Sequence, residues 1–137
     1  MARKGDTVET LRKVPLFAEC SRGQLGAIAA AGSETDYPSG TELTHEGARG
    51  RDFLVLLEGN VAIVRHGEKV AERGAGEFFG EIALVAHGAR TATVVATSPV
   101  RAFIIGDRAF RALLGRMPDL QANVFKVLSD RLPPSER

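Results

Sequence analysis

The middle of the chain alternates short apolar runs with glycine, proline and other turn-forming residues, and this alternation constrains the fold more than any other feature. Residues 53–57 are continuously apolar, which predicts a strand that is covered on both faces. Short strands at this spacing are typical of a sandwich or a barrel. We therefore predict a mainly β fold with flanking helices, a double-sheet β jelly-roll barrel, which can hold a small ligand inside. The predicted turns lie at residues 38–40, 46–51, 58–60 and 66–69.

Two short helices are predicted before the strands. Residues 7–13 have apolar residues on one side, and Pro15 stops this first helix. Ser21 and Gln24 fit a capping box, in which each side chain accepts a hydrogen bond from the backbone of the other residue. The second helix therefore begins after Ser21, and it is expected to end before Gly32.

Helical patterns return after a last strand that is predicted at residues 100–105. Asp107 can cap a helix that runs to about Gly115, with its apolar residues directed inward. Pro118 then begins a final helix, and two prolines at residues 133–134 forbid its continuation.

Composition narrows the possible functions. At 137 residues the chain is expected to form one domain that buries a core without a metal or disulfide. Its net charge of +1 lacks the basic excess typical of nucleic-acid-binding domains, and no apolar run reaches a membrane-spanning length. Cys20 is the lone cysteine and cannot form an internal disulfide. We expect a cytoplasmic protein with no direct nucleic-acid or membrane partner.

The histidines argue against a metalloenzyme. A cupin-type enzyme on a similar double-sheet barrel needs clustered histidine and glutamate ligands. His45, His66 and His87 are instead separated, and each lies at a predicted turn or strand end. No metal site, no cofactor and no enzymatic activity are therefore predicted, and the histidines are expected at the surface.

A stretch near the middle of the chain has the chemistry of a sugar phosphate pocket. Gly80 lets the backbone approach a ligand closely, and residues 81–84 have the composition of one helical turn, whose first N–H groups can donate to an anion. Glu81 can accept a hydrogen bond from a neutral hydroxyl beside that anion. Arg90 supplies a planar, permanently charged fork for phosphate oxygens, and residues 91–96 read as a strand that fixes its root.

This stretch resembles the phosphate-binding cassette of cyclic nucleotide-binding domains, which regulatory subunits of cAMP-dependent protein kinase, catabolite activator proteins and cyclic nucleotide-gated channels share. The matching pattern is an aromatic residue, glycine, glutamate, a small residue and an aliphatic one, followed after a short gap by arginine, a small residue and alanine. The predicted ligand-binding residues are Phe79, Gly80, Glu81, Ile82, Ala83, Arg90, Thr91 and Ala92.

The resemblance implies a role for each polar contact in the site. Glu81 would hold the ribose 2′-hydroxyl, and Arg90 would hold the cyclic phosphate. Backbone amides of Gly80, Ala83 and Thr91 would complete the phosphate cradle.

Three positions outside these polar roles bear on the resemblance. Ala89 replaces a common proline, which leaves residues 85–89 less stiff. Thr44 replaces an aliphatic residue ahead of the family's first glycine, and we expect this to weaken nothing in the site. Phe78 is expected in the core or at the border of the ligand.

In the family, the final helix moves when nucleotide binds and often places a side chain over the base. The resemblance covers residues 14–132, with residues 1–13 as a helical lead-in and 133–137 as a tail. Candidates for the residue that covers the base are Phe125, Leu128, Arg131 and Leu132.

The resemblance predicts a cyclic nucleotide sensor without its own output domain, which signals through movement of its C-terminal helices. The expected ligand is cAMP, with cGMP as the alternative, because Thr91 is compatible with both. A protein partner, or a homodimer through the C-terminal helix, is expected. Alternatives are a truncated transcription regulator of the catabolite activator type and a degenerate jelly roll that serves as a protein-interaction module.

Overall fold

Two four-stranded antiparallel sheets pack face to face in the described part of the molecule. The computed structural model describes residues 4–47, 52–79 and 92–131, with side chains for residues 7–47, 52–79, 92–123 and 126. Its helices are α1 (Lys4–Arg12), α2 (Arg22–Ala31), α3 (Asp107–Arg116) and α4 (Pro118–Arg131), with a 3-10 turn at Pro15–Phe17. Its strands are β1 (Gly32–Tyr37), β2 (Glu42–Thr44), β3 (Asp52–Glu58), β4 (Val61–Arg65), β5 (Glu68–Arg73), β6 (Phe78–Phe79), β7 (Thr93–Ala96) and β8 (Val100–Gly106).

The strand order is that of a jelly roll with flanking helices. The first sheet has the order β1-β8-β3-β6, and the second has the order β2-β7-β4-β5. Every neighbouring pair is antiparallel. The predicted fold class is therefore confirmed. No helix within residues 4–47, 52–79 or 92–131 combines the length and apolar character that crossing a bilayer requires.

Strand β3 is covered on both faces, as its continuous apolar run predicts. Phe53, Val55 and Leu57 point toward the helices and join the core between helices and sheet. Leu56 points the other way, into the space between the two sheets. The two sets follow from the period of two along a strand.

The capping box at the start of α2 is confirmed. The Gln24 N–H donates to Ser21 Oγ at 3.1 Å, and the Ser21 N–H donates to Gln24 Oε1 at 2.8 Å. The helix ends before Gly32, but Gly32 has extended backbone with φ −139° and is the first residue of β1. Glycine is needed there for another reason, because a Cβ would overlap the carbonyl oxygen of Ile104 on the neighbouring strand.

Several boundary predictions are wrong by one to three residues. The first helix spans Lys4–Arg12 instead of residues 7–13, and β7 begins at Thr93, after Ala92. Gly106, not Asp107, is the N-cap of α3, and the Asp107 carboxylate accepts from the Arg108 N–H within the first turn at 2.8 Å. The reversal predicted at residues 66–69 is the two-residue turn His66–Gly67, in which both residues have positive φ. Glu68 and the residue after it already pair with β4, because a two-residue turn suits the twist of a hairpin.

Candidate functional site

Both ends of the predicted cassette adjoin strands that the structure describes. Strand β6 ends at Phe79, on an edge of the first sheet, and β7 begins at Thr93, between β2 and β4 of the second sheet. The intervening segment therefore connects one sheet to the other. Of the predicted ligand-binding residues, the structure places Phe79 and Ala92. Outside the described residues lie Gly80, Glu81, Ile82, Ala83, Arg90 and Thr91.

The two phenylalanines before the cassette face opposite sides of their sheet. Phe78 pairs with Val55 and is buried in the core on the helix side, where its ring meets Phe53 edge to face at 5.5 Å between centroids. Phe79 is half-buried and packs against the cluster between the sheets. Phe79 rather than Phe78 thus borders the interior, because successive residues of a strand alternate between its faces.

The space between the sheets has a small apolar floor and a half-buried rim. Its buried cluster consists of one leucine together with valines and alanines: Leu56, Val61, Val94, Ala96, Val100 and Ala102. Larger apolar side chains that keep some exposure pack around it: Tyr37, Leu43, Ile63, Phe79 and Ile104. Partly buried apolar side chains of this kind can line a small-ligand site.

Two threonine hydroxyls fasten the chain just after the cassette. Thr44 Oγ1 donates to the carbonyl oxygen of Ala92 at 3.0 Å, and the Glu46 N–H donates to Thr93 Oγ1 at 2.9 Å. Thr44, Ala92 and Thr93 are all at most 9% exposed. In the sequence alone, Thr44 is recognisable only as a departure from the family pattern. The signal for its role was a hydroxyl where an aliphatic residue is usual, because a buried hydroxyl requires a partner.

The four candidates for the residue that covers the base remain predictions. Helix α4 includes the backbone of Phe125, Leu128 and Arg131. Their side chains, and the whole of Leu132, lie outside the described residues. At the start of α4, Leu120 is buried in the core on the helix side, and the helix packs against the 3-10 turn.

The described residues include no cluster of candidate metal ligands and one thiol whose pKa is raised. Within residues 4–47, 52–79 and 92–131 no three histidine, cysteine or acidic residues come together as metal ligands. Burial raises the pKa of the Cys20 thiol, and the charges of Asp119 and Glu19 raise it further. Such a thiol is protonated at neutral pH and is a poor nucleophile.

Comparison with known proteins assigns the family. The model of the cyclic nucleotide-binding domain matches residues 34–117, which is more than half of the chain. The chain belongs to the cyclic nucleotide-binding domain family. This match includes the cassette, α3 and both sheets, apart from the first two residues of β1. The family is one of binding and regulatory domains.

Proteins of similar sequence include kinases and kinase regulatory subunits whose names state dependence on a cyclic nucleotide. A cAMP-dependent protein kinase regulatory subunit of Hypocrea atroviridis is 34% identical over 110 residues, covering 80% of this chain and 24% of the relative. A cGMP-dependent protein kinase of Caenorhabditis briggsae is 30% identical over 128 residues, covering 88% of this chain and 17% of the relative. The cyclic nucleotide-binding domain described here therefore spans a quarter or less of these two proteins.

Among solved structures, the regulatory subunit of a cAMP-independent protein kinase A from Trypanosoma brucei superposes with a TM-score of 0.82 at 25% identity. The superposition covers 93% of this chain and 45% of that chain. The superposition thus extends beyond the residues of the family match.

Proposed function

We propose that this domain binds a cyclic nucleotide in the space between its sheets and acts as a sensor without catalytic activity of its own. The observation that carries the proposal is the order of Gly80, Glu81, Arg90 and Ala92 in the segment that joins β6 to β7. This segment begins beside the half-buried rim at Phe79 and ends at a buried anchor. A ligand held there would contact both sheets.

The proposed contacts divide between the phosphate and the sugar. Arg90 would neutralise the cyclic phosphate with two parallel N–H···O bonds, which is the geometry that a guanidinium favours. Glu81 would accept from the ribose 2′-hydroxyl, while amides of Gly80, Ala83 and Thr91 would donate to phosphate oxygens. Phe79, Ile82 and Ala92 would flank these groups as apolar neighbours.

We propose cAMP as the preferred ligand and cGMP as the alternative. The relative that is 34% identical is named for cAMP dependence, and the one that is 30% identical is named for cGMP dependence. The hydroxyl oxygen of Thr91 could accept a hydrogen bond from a guanine amino group, so this residue leaves both bases open. The preference thus rests on similarity, and a side-by-side titration decides it.

We propose that binding is signalled through the C-terminal helices to a protein partner or to a second copy of the chain. Helices α3 and α4 are anchored in the core on the helix side through Phe110, Leu113 and Leu120. Strand β3 contributes alternate residues to this core and to the interior, so it connects the ligand site with the helices. Phe125, Leu128, Arg131 or Leu132 would then cover the base. The lone Cys20, the charge and this mode of action fit a cytoplasmic regulator whose domain makes no direct contact to nucleic acid.

Replacement of Arg90 tests the proposal. Loss of one partner of a buried charge pair costs about 2–5 kcal/mol, so Arg90→Ala should lower cyclic nucleotide affinity by about one and a half to three and a half powers of ten. Glu81→Ala should lower it less, because its partner is a neutral hydroxyl. Calorimetric titration measures both variants.

Arg101→Ala is the matched control for this titration. Arg101 is a surface arginine of β8 that pairs with Asp36 at 3.0 Å, and it belongs to none of the proposed contacts. Its removal should leave the affinity unchanged. Unaltered affinity in Arg90→Ala, or an equal loss in Arg101→Ala, would remove the role assigned to Arg90.

A protein-interaction module that has lost its ligand is the second candidate function. It is favoured by the Trypanosoma brucei neighbour, which has the same fold and is named for cAMP independence. This candidate predicts a folded protein that shows no heat of binding with either nucleotide.

A further inference from the structure

We propose that Thr44 and Thr93 are positioning residues that fix the backbone behind Arg90, and so set where its guanidinium meets the phosphate. The inference rests on the proposed function above. We call the set Thr44, Glu46, Ala92 and Thr93 the threonine clamp. Neither threonine would touch the ligand, and both would act through the start of β7.

The clamp takes over where the backbone ladder between β2 and β7 becomes irregular. Glu42 pairs with Val95 and Thr44 pairs with Val94, so the register shifts between these two pairs. Beyond the shift, side-chain hydroxyls make the connections, with Thr44 donating to Ala92 and Thr93 accepting from Glu46. Both hydroxyls are buried, and such bonds are shielded from competing water.

The other side of β7 is held as well. Thr93 pairs with Val64 at the end of the β4–β7 ladder. The carboxylate of Glu46 accepts from the His66 N–H at 2.8 Å, which joins the clamp to the turn between β4 and β5. The start of β7 is therefore fixed from two neighbouring strands at the position where the cassette ends.

Covalent geometry carries this restraint to Arg90. Consecutive Cα atoms are about 3.8 Å apart, so the Cα of Arg90 lies within about 7.6 Å of that of Ala92. A bidentate contact from a guanidinium to a phosphate depends on direction as well as distance. A fixed root lowers the ordering cost of that contact when the ligand binds.

Valine replacements test the clamp, because valine keeps the shape of threonine and removes the hydroxyl. Thr44→Val and Thr93→Val should each weaken cyclic nucleotide binding by about tenfold, which is the size of one net hydrogen bond. Thr44→Ser and Thr93→Ser restore the hydroxyl and should recover most of the affinity. Recovery by serine shows that the hydroxyl, and not the change in shape, is the cause.

Thr41→Val is the matched control. The Thr41 hydroxyl donates to the carbonyl oxygen of Pro38 at 2.7 Å, which is the same kind of bond next to the opposite end of β2. Its loss should change affinity by less than about twofold. A loss as large as that of Thr44→Val would overturn the inference.

Coupling to Arg90 separates a positioning role from a merely structural one. In an Arg90→Lys background the planar fork is gone, so Thr44→Val should cost only about twofold in affinity instead of tenfold. A structural role predicts the same fold-change in both backgrounds. If the wild-type protein binds and the valine variants bind equally well, only this inference fails. If the wild-type protein itself binds neither cAMP nor cGMP, the proposed function fails and the inference fails with it.

Discussion

The two apolar regions of the molecule differ in the size of the side chains that fill them. On the helix side, Phe17, Phe53, Phe103 and Phe110 have no exposed surface, and the rings of Phe53 and Phe110 lie 4.3 Å apart between centroids. Between the sheets, the buried cluster of described residues has nothing larger than Leu56. The helix side is therefore filled by aromatic rings. Between the sheets, the larger side chains lie at the half-buried rim.

Strands β3 and β8 of the first sheet contribute residues to both regions. Along β8, Phe103 and Ile105 face the helices, whereas Val100 and Ala102 face the opposite sheet. On the first sheet, the helix side thus buries phenylalanines, whereas the face toward the second sheet buries aliphatic residues and leaves the rings of Tyr37 and Phe79 partly exposed. Close-packed interiors resist changes of volume. We therefore expect stability to depend mainly on the helix side, and the proposed ligand to contact the face toward the second sheet.

The largest expected effect is on stability and lies on the helix side. Phe110→Ala removes a fully buried ring that contacts Phe53, and such truncations cost about 3–5 kcal/mol in the free energy of unfolding. Urea denaturation measures the loss. Phe110→Leu is the milder variant for comparison. A loss below about 1 kcal/mol in Phe110→Ala would show that the helix-side core does not carry the stability.

A smaller effect is expected on binding, at the rim of the interior. Ile63→Phe adds a ring where a ligand would enter and should weaken cyclic nucleotide binding by about tenfold, while the free energy of unfolding changes by less than about 1.5 kcal/mol. Val70→Phe is the control, because Val70 lies on the neighbouring strand and is 54% exposed. Equal affinities of the two variants would contradict the assignment of the interior as the ligand site.

The smallest effect concerns Tyr37, at the same rim. Burial raises the pKa of the Tyr37 phenol above its usual value of about 10, and the charge of Asp52 adds to the rise. Since the folded pKa is raised, this contribution to stability is complete below about pH 10 and is lost as pH rises through the folded pKa. Tyr37 is the only tyrosine and the chain has no tryptophan, so ultraviolet titration reports this group alone.

Asp52→Asn should lower the midpoint of that titration by the smaller part of the shift, because burial remains. Ligand binding should raise the midpoint further by excluding water from the rim. A midpoint at the ordinary value in the folded protein would show that the Tyr37 side chain is more exposed than the structure indicates.

The sequence predicts those elements whose own residues indicate burial or helix capping. The unbroken apolar run of β3 requires burial on both faces, and Ser21 with Gln24 satisfies the start of α2 locally. Strand β1, with the polar sequence GSETDY, has no local pattern that predicts a strand. Its six residues are strand because they pair along β8, and such tertiary pairing overrides local propensity.

The candidate site follows the same division. The roles proposed for Glu81 and Arg90 come from a linear motif, so a sequence can indicate them. The clamp joins Thr44 to Ala92 and Glu46 to Thr93, residues that are more than 40 positions apart in each pair. No local pattern reports such a bond, because it depends on which strands become neighbours.

Calorimetric titration of the wild-type domain with cAMP and, side by side, with cGMP tests the central claim most directly. Binding of a cyclic nucleotide between the sheets predicts saturable heat with one site per chain and a raised melting temperature, both larger for cAMP. A folded, nucleotide-free sample that shows neither heat nor a melting shift with either ligand at millimolar concentration would contradict it.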